Sequence, residues 1–186
     1  MHRNLVMRRN LVLVSMIIIL AGINWSIAGK EKHLATGHIV YLDLAPVDPR
    51  SLIQGDYMAL RFRIGDQVYQ ALPKTEEYKR WRHNAEGGDG YVVIEQDEKG
   101  IALFNRLYSE DESLAENELR LRYRVRNGNV KFATNAFFFE EGQGEVYQSA
   151  RYGQFRVNDA GELLLAGMFD KDLAKLDATT PKMPKN

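Results

Sequence analysis

Apolar and polar positions divide the chain into two regimes. Residues 11–28, LVLVSMIIILAGINWSIA, run without a charge, whereas from residue 38 onward apolar positions recur in short alternations broken by turn residues. As a helix rising about 1.5 Å per residue, the first run reaches roughly 27 Å, close to the roughly 30 Å hydrocarbon core of a bilayer. HIVYLDLAPVDP, residues 38–49, predicts a strand that ends before Pro46 and Pro49. In YMALRFRI, Leu60, Phe62 and Ile64 alternate with Arg61 and Arg63. With the Gly65-Asp66 turn and IGDQVYQAL, residues 57–72 predict a β-hairpin. PKTEEYKRWRHN, residues 73–84, predicts a short polar helix closed by Gly87 and Gly88.

The second half reads as paired strands. Two flank Asp97–Gly100, two flank Asn127-Gly128, and a last pair flanks Asn158–Gly161. Four hairpins in sequence predict a mainly β, β-rich α+β body of antiparallel strands, a sandwich or partly open barrel with one or two short helices. No internal repeat of fixed period is present. The organisation expected is a basic start and transmembrane anchor over 1–29, a β domain over 30–172 and a flexible tail over 173–186.

Charge gives the apolar run a direction. Arg3, Arg8 and Arg9 precede it, so the N-terminus stays cytoplasmic and the body lies across a bacterial inner membrane, periplasmic or extracellular. Lys30 and Lys32, with Glu31, weaken this asymmetry without reversing it. A cleaved secretory signal is the alternative, since Ser26 and Ala28 satisfy a small-residue cleavage rule and would release a soluble domain. Lys plus Arg and Asp plus Glu each number 25, so no net field favours nucleic acid. The chain has no cysteine, which excludes disulfides, thiolate metal sites and thiol nucleophiles.

The segment GDYMALRF fits Gly-Asp-Tyr-x-x-Leu-x-Tyr. With APVDPRSLIQ before it and FFFEEGQGEVYQ and FRVNDAGELLLAGM after it, the chain resembles the GDYXXLXY family of bacterial membrane-anchored proteins over most of residues 38–170. That resemblance implies a single N-terminal anchor, an exported β-rich domain and frequent genetic linkage to multi-spanning membrane proteins. It carries Gly55, Asp56, Tyr57, Leu60 and Phe62 over as motif positions, with Phe62 in place of the final tyrosine. Their chemistry suits a corner: Gly55 permits positive φ, Asp56 accepts backbone N–H bonds, and Tyr57 packs a ring with a wet hydroxyl.

Candidate chemistry is thin. PRSLIQGDY is similar to a stretch of type I signal peptidases, but Pro46, Val47 and Asp48 stand where a nucleophilic serine would precede Pro49. His2, His33, His38 and His83 form no metal-ligand spacing, and no metal or cofactor is expected. SEDESLAENE, residues 109–118, reads as a short helix with a Ser109–Glu112 capping box, with calcium binding as the rival reading. In LRLRYRVR, Arg120, Arg122, Arg124 and Arg126 line one strand face. With Arg61 and Arg63 they form either an anionic-partner face or one side of cross-strand ion pairs. Residues 137–139, three phenylalanines, precede Gly142-x-Gly144 and a possible short helix; they read as a core strand or as an exposed aromatic edge. The function expected is a non-enzymatic accessory module of a multi-spanning membrane protein. The alternatives are a hydrolase or carbohydrate-active enzyme using Asp56 with Glu140 or Glu141, and a secreted ligand binder.

Overall fold

The computed structural model describes residues 2–45, 57–73 and 88–177. The chain divides into two units, residues 1–36 and 37–186. The first is a single helix, α1 (His2–Thr36), longer than the expected anchor by the two turns beyond Ala28. Lys-Glu-Lys-His-Leu-Ala carries helix-permissive residues, and Thr36 Oγ1 closes the last turn by donating to the Lys32 carbonyl at 3.0 Å. The helix thus runs past the expected boundary at residue 29, and the β-rich unit begins at Gly37.

The second unit is β-rich. It contains β1 (His38–Asp43), β2 (Tyr57–Ala59), α2 (Arg63–Ala71), β3 (Asp89–Gln96), β4 (Ala102–Leu107) and β5 (Glu118–Arg126). There follow β6 (Asn129–Lys131), β7 (Ala136–Phe138), α3 (Gly144–Tyr147), β8 (Tyr152–Val157), β9 (Leu163–Phe169) and β10 (Lys175–Leu176). Antiparallel pairing gives two four-stranded sheets, β1-β8-β9-β10 and β4-β3-β5-β6, and the small pair β2-β7. The large sheets meet at two seams. At one, Tyr41 bridges Ile101 and its N–H donates to the Gly100 carbonyl at 3.0 Å. At the other, the Arg122 N–H of β5 donates to the Gly161 carbonyl of the β8–β9 turn at 2.8 Å. The result is a half-barrel, the partly open architecture the hairpin pattern predicts.

Period-2 patterning builds this core. Val40 and Leu42 of β1, Phe155 and Val157 of β8, and Leu121, Tyr123 and Val125 of β5 all point inward, with polar neighbours between them. Turn chemistry fixes register: Asn127 (φ 51) and Gly128 (φ 71) form the two-residue left-handed turn that sets Arg126 opposite Asn129, Val125 opposite Val130 and Arg124 opposite Lys131.

Four expectations are corrected. Residues 57–72 do not form a hairpin: β2 stops at Ala59 and α2 begins at Arg63. Ile64, Val68 and Leu72 recur every four residues and all three are buried, so helical burial overrides the short alternation through Phe62. Pro73 follows the C-terminal end. Arg61 and Arg63 consequently do not share a strand face. Residues 109–117 form turns and irregular chain rather than a capped helix, and Glu118 already opens β5; Glu112 and Glu118 are drawn to Arg106. The strand after Asn127-Gly128 ends at Lys131; Ala133 takes φ 34, and the chain leaves the sheet to pair as β7 with β2. The expected tail begins with order, since Lys175 and Leu176 pair with Phe169 and Met168. The helix expected over 73–84 lies outside the described residues, apart from Pro73.

Candidate functional site

Gly55 and Asp56 lie outside the described residues; the rest of the motif is a stitched corner. The Leu60 N–H donates to the Asn135 carbonyl at 2.7 Å, and the Ala45 N–H donates to the Arg61 carbonyl at 2.8 Å. Leu44 bridges Phe62 in antiparallel sense. Leu60 and Phe62 are buried, and the Phe62 ring meets Phe155 and Phe132 edge-on at 5.4 and 6.5 Å. A ring this enclosed serves packing, which fits phenylalanine at the final motif position. Tyr57 points the other way, pairing with Phe138 at 5.8 Å between centroids.

Beside this corner lies a cleft of about 430 Å³. The motif segment from Ala59 to Phe62 and α2, through Gly65, Asp66 and Tyr69, form part of its wall. The β5–β6 turn, β6, Phe132, Thr134 and Asn135 also line it. Gly65 lets α2 approach the open edge of β6: a Cβ there would lie 3.4 Å from the Val130 carbonyl oxygen. Covering an edge strand in this way removes a pairing hazard.

The six arginines expected on an anionic-partner face separate by partner. Arg61 Nη2 lies 2.6 Å from Asp66 Oδ1. Arg63 and Arg151 converge on Asp43, with Arg63 Nε 3.1 Å from Oδ2 and Arg151 Nη2 donating to the same oxygen at 3.1 Å. Arg151 Nε is 3.0 Å from Oδ1 but off the hydrogen-bonding direction, so that contact is ionic only. Burial pushes the Asp43 carboxyl above its ordinary range despite both guanidinia. Arg122 and Arg126 share Asp89 at 2.9 and 3.0 Å. Partial burial acts to raise the Asp89 carboxyl, yet their hydrogen bonds hold it below the usual range. The Arg120 guanidinium stacks over Tyr91 and Tyr108 at 5.3 and 5.7 Å and donates to the Asp159 carbonyl at 3.1 Å. Arg124 donates to the Ala133 carbonyl at 3.1 Å.

The other candidates come apart. Glu140 accepts from Gln143 Nε2 at 2.9 Å, and it and Glu141 are exposed. Asp56, the carboxylate expected to face them, and His83 lie outside the described residues. Among the described residues no group of three His, Cys, Asp or Glu is arranged to hold a metal. The three consecutive phenylalanines split: Phe137 and Phe139 pack on Tyr147 at 4.9 and 5.1 Å, while Phe138 is 74% exposed. Sequence reasoning missed Lys131, Thr134 and Asn135 as cleft residues. For Lys131 a signal was present, because the Asn127-Gly128 turn alone sets it opposite Arg124.

A family model described as GDYXXLXY protein matches residues 19–168. No curated protein and no solved structure matches the chain.

Proposed function

The chain belongs to the GDYXXLXY family, and we propose that it is a membrane-anchored interaction module, non-enzymatic, beside a multi-spanning membrane protein. In this reading α1 spans a bacterial inner membrane. Arg3, Arg8 and Arg9 stay cytoplasmic, and the half-barrel faces the periplasm. The observation that carries the reading is the surface of α1. Within Asn10–Thr36 an 18-residue window has a mean hydropathy of 2.3, and none of that window is buried. Leu11, Ile17, Ile18 and Ile19 are exposed by 69, 62, 65 and 60%. Burying each such side chain is worth about 1.5–3 kcal/mol, so the helix demands an apolar surrounding that hydrocarbon supplies.

On the body, the exposed Phe138 beside the motif residue Tyr57 is the aromatic surface this reading gives to the partner. Mild-detergent purification of the full chain from native membranes, with mass spectrometry of co-purifying chains, tests it. A stoichiometric multi-spanning protein that is lost in Phe138→Glu is expected. Recovery of the chain alone, or of a partner indifferent to that substitution, would contradict the docking surface.

A further inference from the structure

Ordering the cations of the β4-β3-β5-β6 sheet by partner leaves a remainder. Arg106 holds Glu112 and Glu118, Arg122 and Arg126 share Asp89, and Arg120 lies over two tyrosine rings. Arg124 has only the Ala133 carbonyl, and Lys131, directly opposite it on β6, has no carboxylate within ion-pair reach among the described residues. Like charges placed directly opposite on neighbouring strands destabilise a sheet. The protein keeps two here, although Asp89 lies directly opposite Arg124 on the other side and spends its oxygens on Arg122 and Arg126.

The position of the pair gives it a use. Lys131 is half-buried and forms part of the cleft wall, whose other residues include Asn129, Thr134 and Asn135. Arg61, on the motif side, is already matched by Asp66. Two positive charges with no ion-pair partner among the described residues match a phosphate monoester, which carries about −1.5 to −2 near neutral pH. Arginine supplies a planar fork for two of its oxygens and lysine a point charge for the third. Hydroxyl and amide groups along the cleft suit a polar, hydroxyl-bearing body.

We propose that a phosphate-bearing ligand binds at the Lys131 side of the cleft, with the phosphate seated between Lys131 and the exposed Arg124, which is paired opposite it outside the cleft lining, and the polar body lying along Asn129, Thr134 and Asn135. The site belongs to the half-barrel and does not depend on α1 acting as an anchor.

The test is calorimetric titration of the full chain in neutral detergent with glucose 6-phosphate, glucose and dihexanoyl phosphatidic acid. Arg124→Gln and Lys131→Gln are the site variants, and Lys175→Gln is the control. Saturable binding of a phosphate probe is expected, with none of glucose. Either site variant should weaken it about tenfold or more, the scale of one lost charged hydrogen bond, and the control should leave it unchanged. Binding of the sugar phosphate alone identifies a water-soluble ligand, and binding of the lipid alone identifies a headgroup; both place the phosphate at this pair. The thermal midpoint of Lys131→Gln should equal or exceed that of the parent, since one like charge is removed, and that of Arg124→Gln, which also gives up the bond to the Ala133 carbonyl, should stay close to it, which separates lost binding from lost folding. Failure of every phosphate probe to saturate, or affinities unchanged in both site variants, would overturn the proposal.

Discussion

Gly161 holds one of the two seams that close the half-barrel, and replacing it with alanine measures that seam. Its φ is +77, and an added Cβ would lie 2.8 Å from the Arg120 carbonyl oxygen. Two costs follow. Alanine in the left-handed region costs about 1–2 kcal/mol. The clash is with backbone, so the β8–β9 turn must withdraw, weakening the bond from the Arg122 N–H to the Gly161 carbonyl and that from Arg120 Nη2 to the Asp159 carbonyl. At about 1 kcal/mol net for each bond, the contact cost is about 2 kcal/mol. Gly142 separates the two, because its φ of +83 is similar and nothing lies within 4 Å of its would-be Cβ. Gly142→Ala therefore bears the dihedral cost alone, and Gly161→Ala should exceed it by about 2 kcal/mol. For a domain of this size that is about 4–8 °C in thermal midpoint. Near-UV circular dichroism melts of both variants in the same detergent provide the assay. Equal losses would refute the seam and the half-barrel closure with it.

Phe62→Ala should cost about 3–5 kcal/mol, read from the denaturant midpoint, because the ring fills the junction between Phe155 and Phe132. Asp89→Asn should cost less than about 1 kcal/mol and lose that small effect in high salt, since both its partners are substantially exposed. Hydrogen bonds from Arg106 hold the Glu118 carboxyl below its usual range, so its stabilisation is complete above the unfolded value of about 4.3 and is lost as pH falls through the folded value. Melts between pH 6 and pH 3 should decline at the acid end and decline less in Glu118→Gln; parallel profiles would remove the Arg106 network from the account. Asp43 works in the opposite sense: burial outweighs Arg151 and Arg63, so its ionisation costs folding free energy and protonation at low pH relieves that cost.

Much of this molecule is legible in its sequence, for local reasons. The hairpins at Asp97–Gly100, Asn127-Gly128 and Asn158–Gly161 are written as turn residues between alternating runs, and each appears where the pattern places it. The fate of residues 63–72 is not local. Ile64 satisfies a period of two with Phe62 and a period of four with Val68, and only the open edge of β6, which accepts Gly65 at close range, decides for the helix. The acid-rich stretch before β5 carries a capping signature, but Arg106, near the end of β4 and six and twelve residues from Glu112 and Glu118, captures both. The arginine alternation on β5 is plain to read; which arginine keeps a free charge depends on Asp89 and the tyrosines, brought alongside by strand pairing. The cleft is the least legible feature, since its wall draws on the motif segment, α2 and the β6 region, which no single motif joins.

The claim that organises the account is that α1 remains attached and embedded. Intact-mass measurement of the native chain, after alkaline carbonate extraction has divided membranes from soluble protein, tests it most directly. A membrane-bound species that retains residues 11–28 is expected. A soluble species beginning near Gly29 would contradict it.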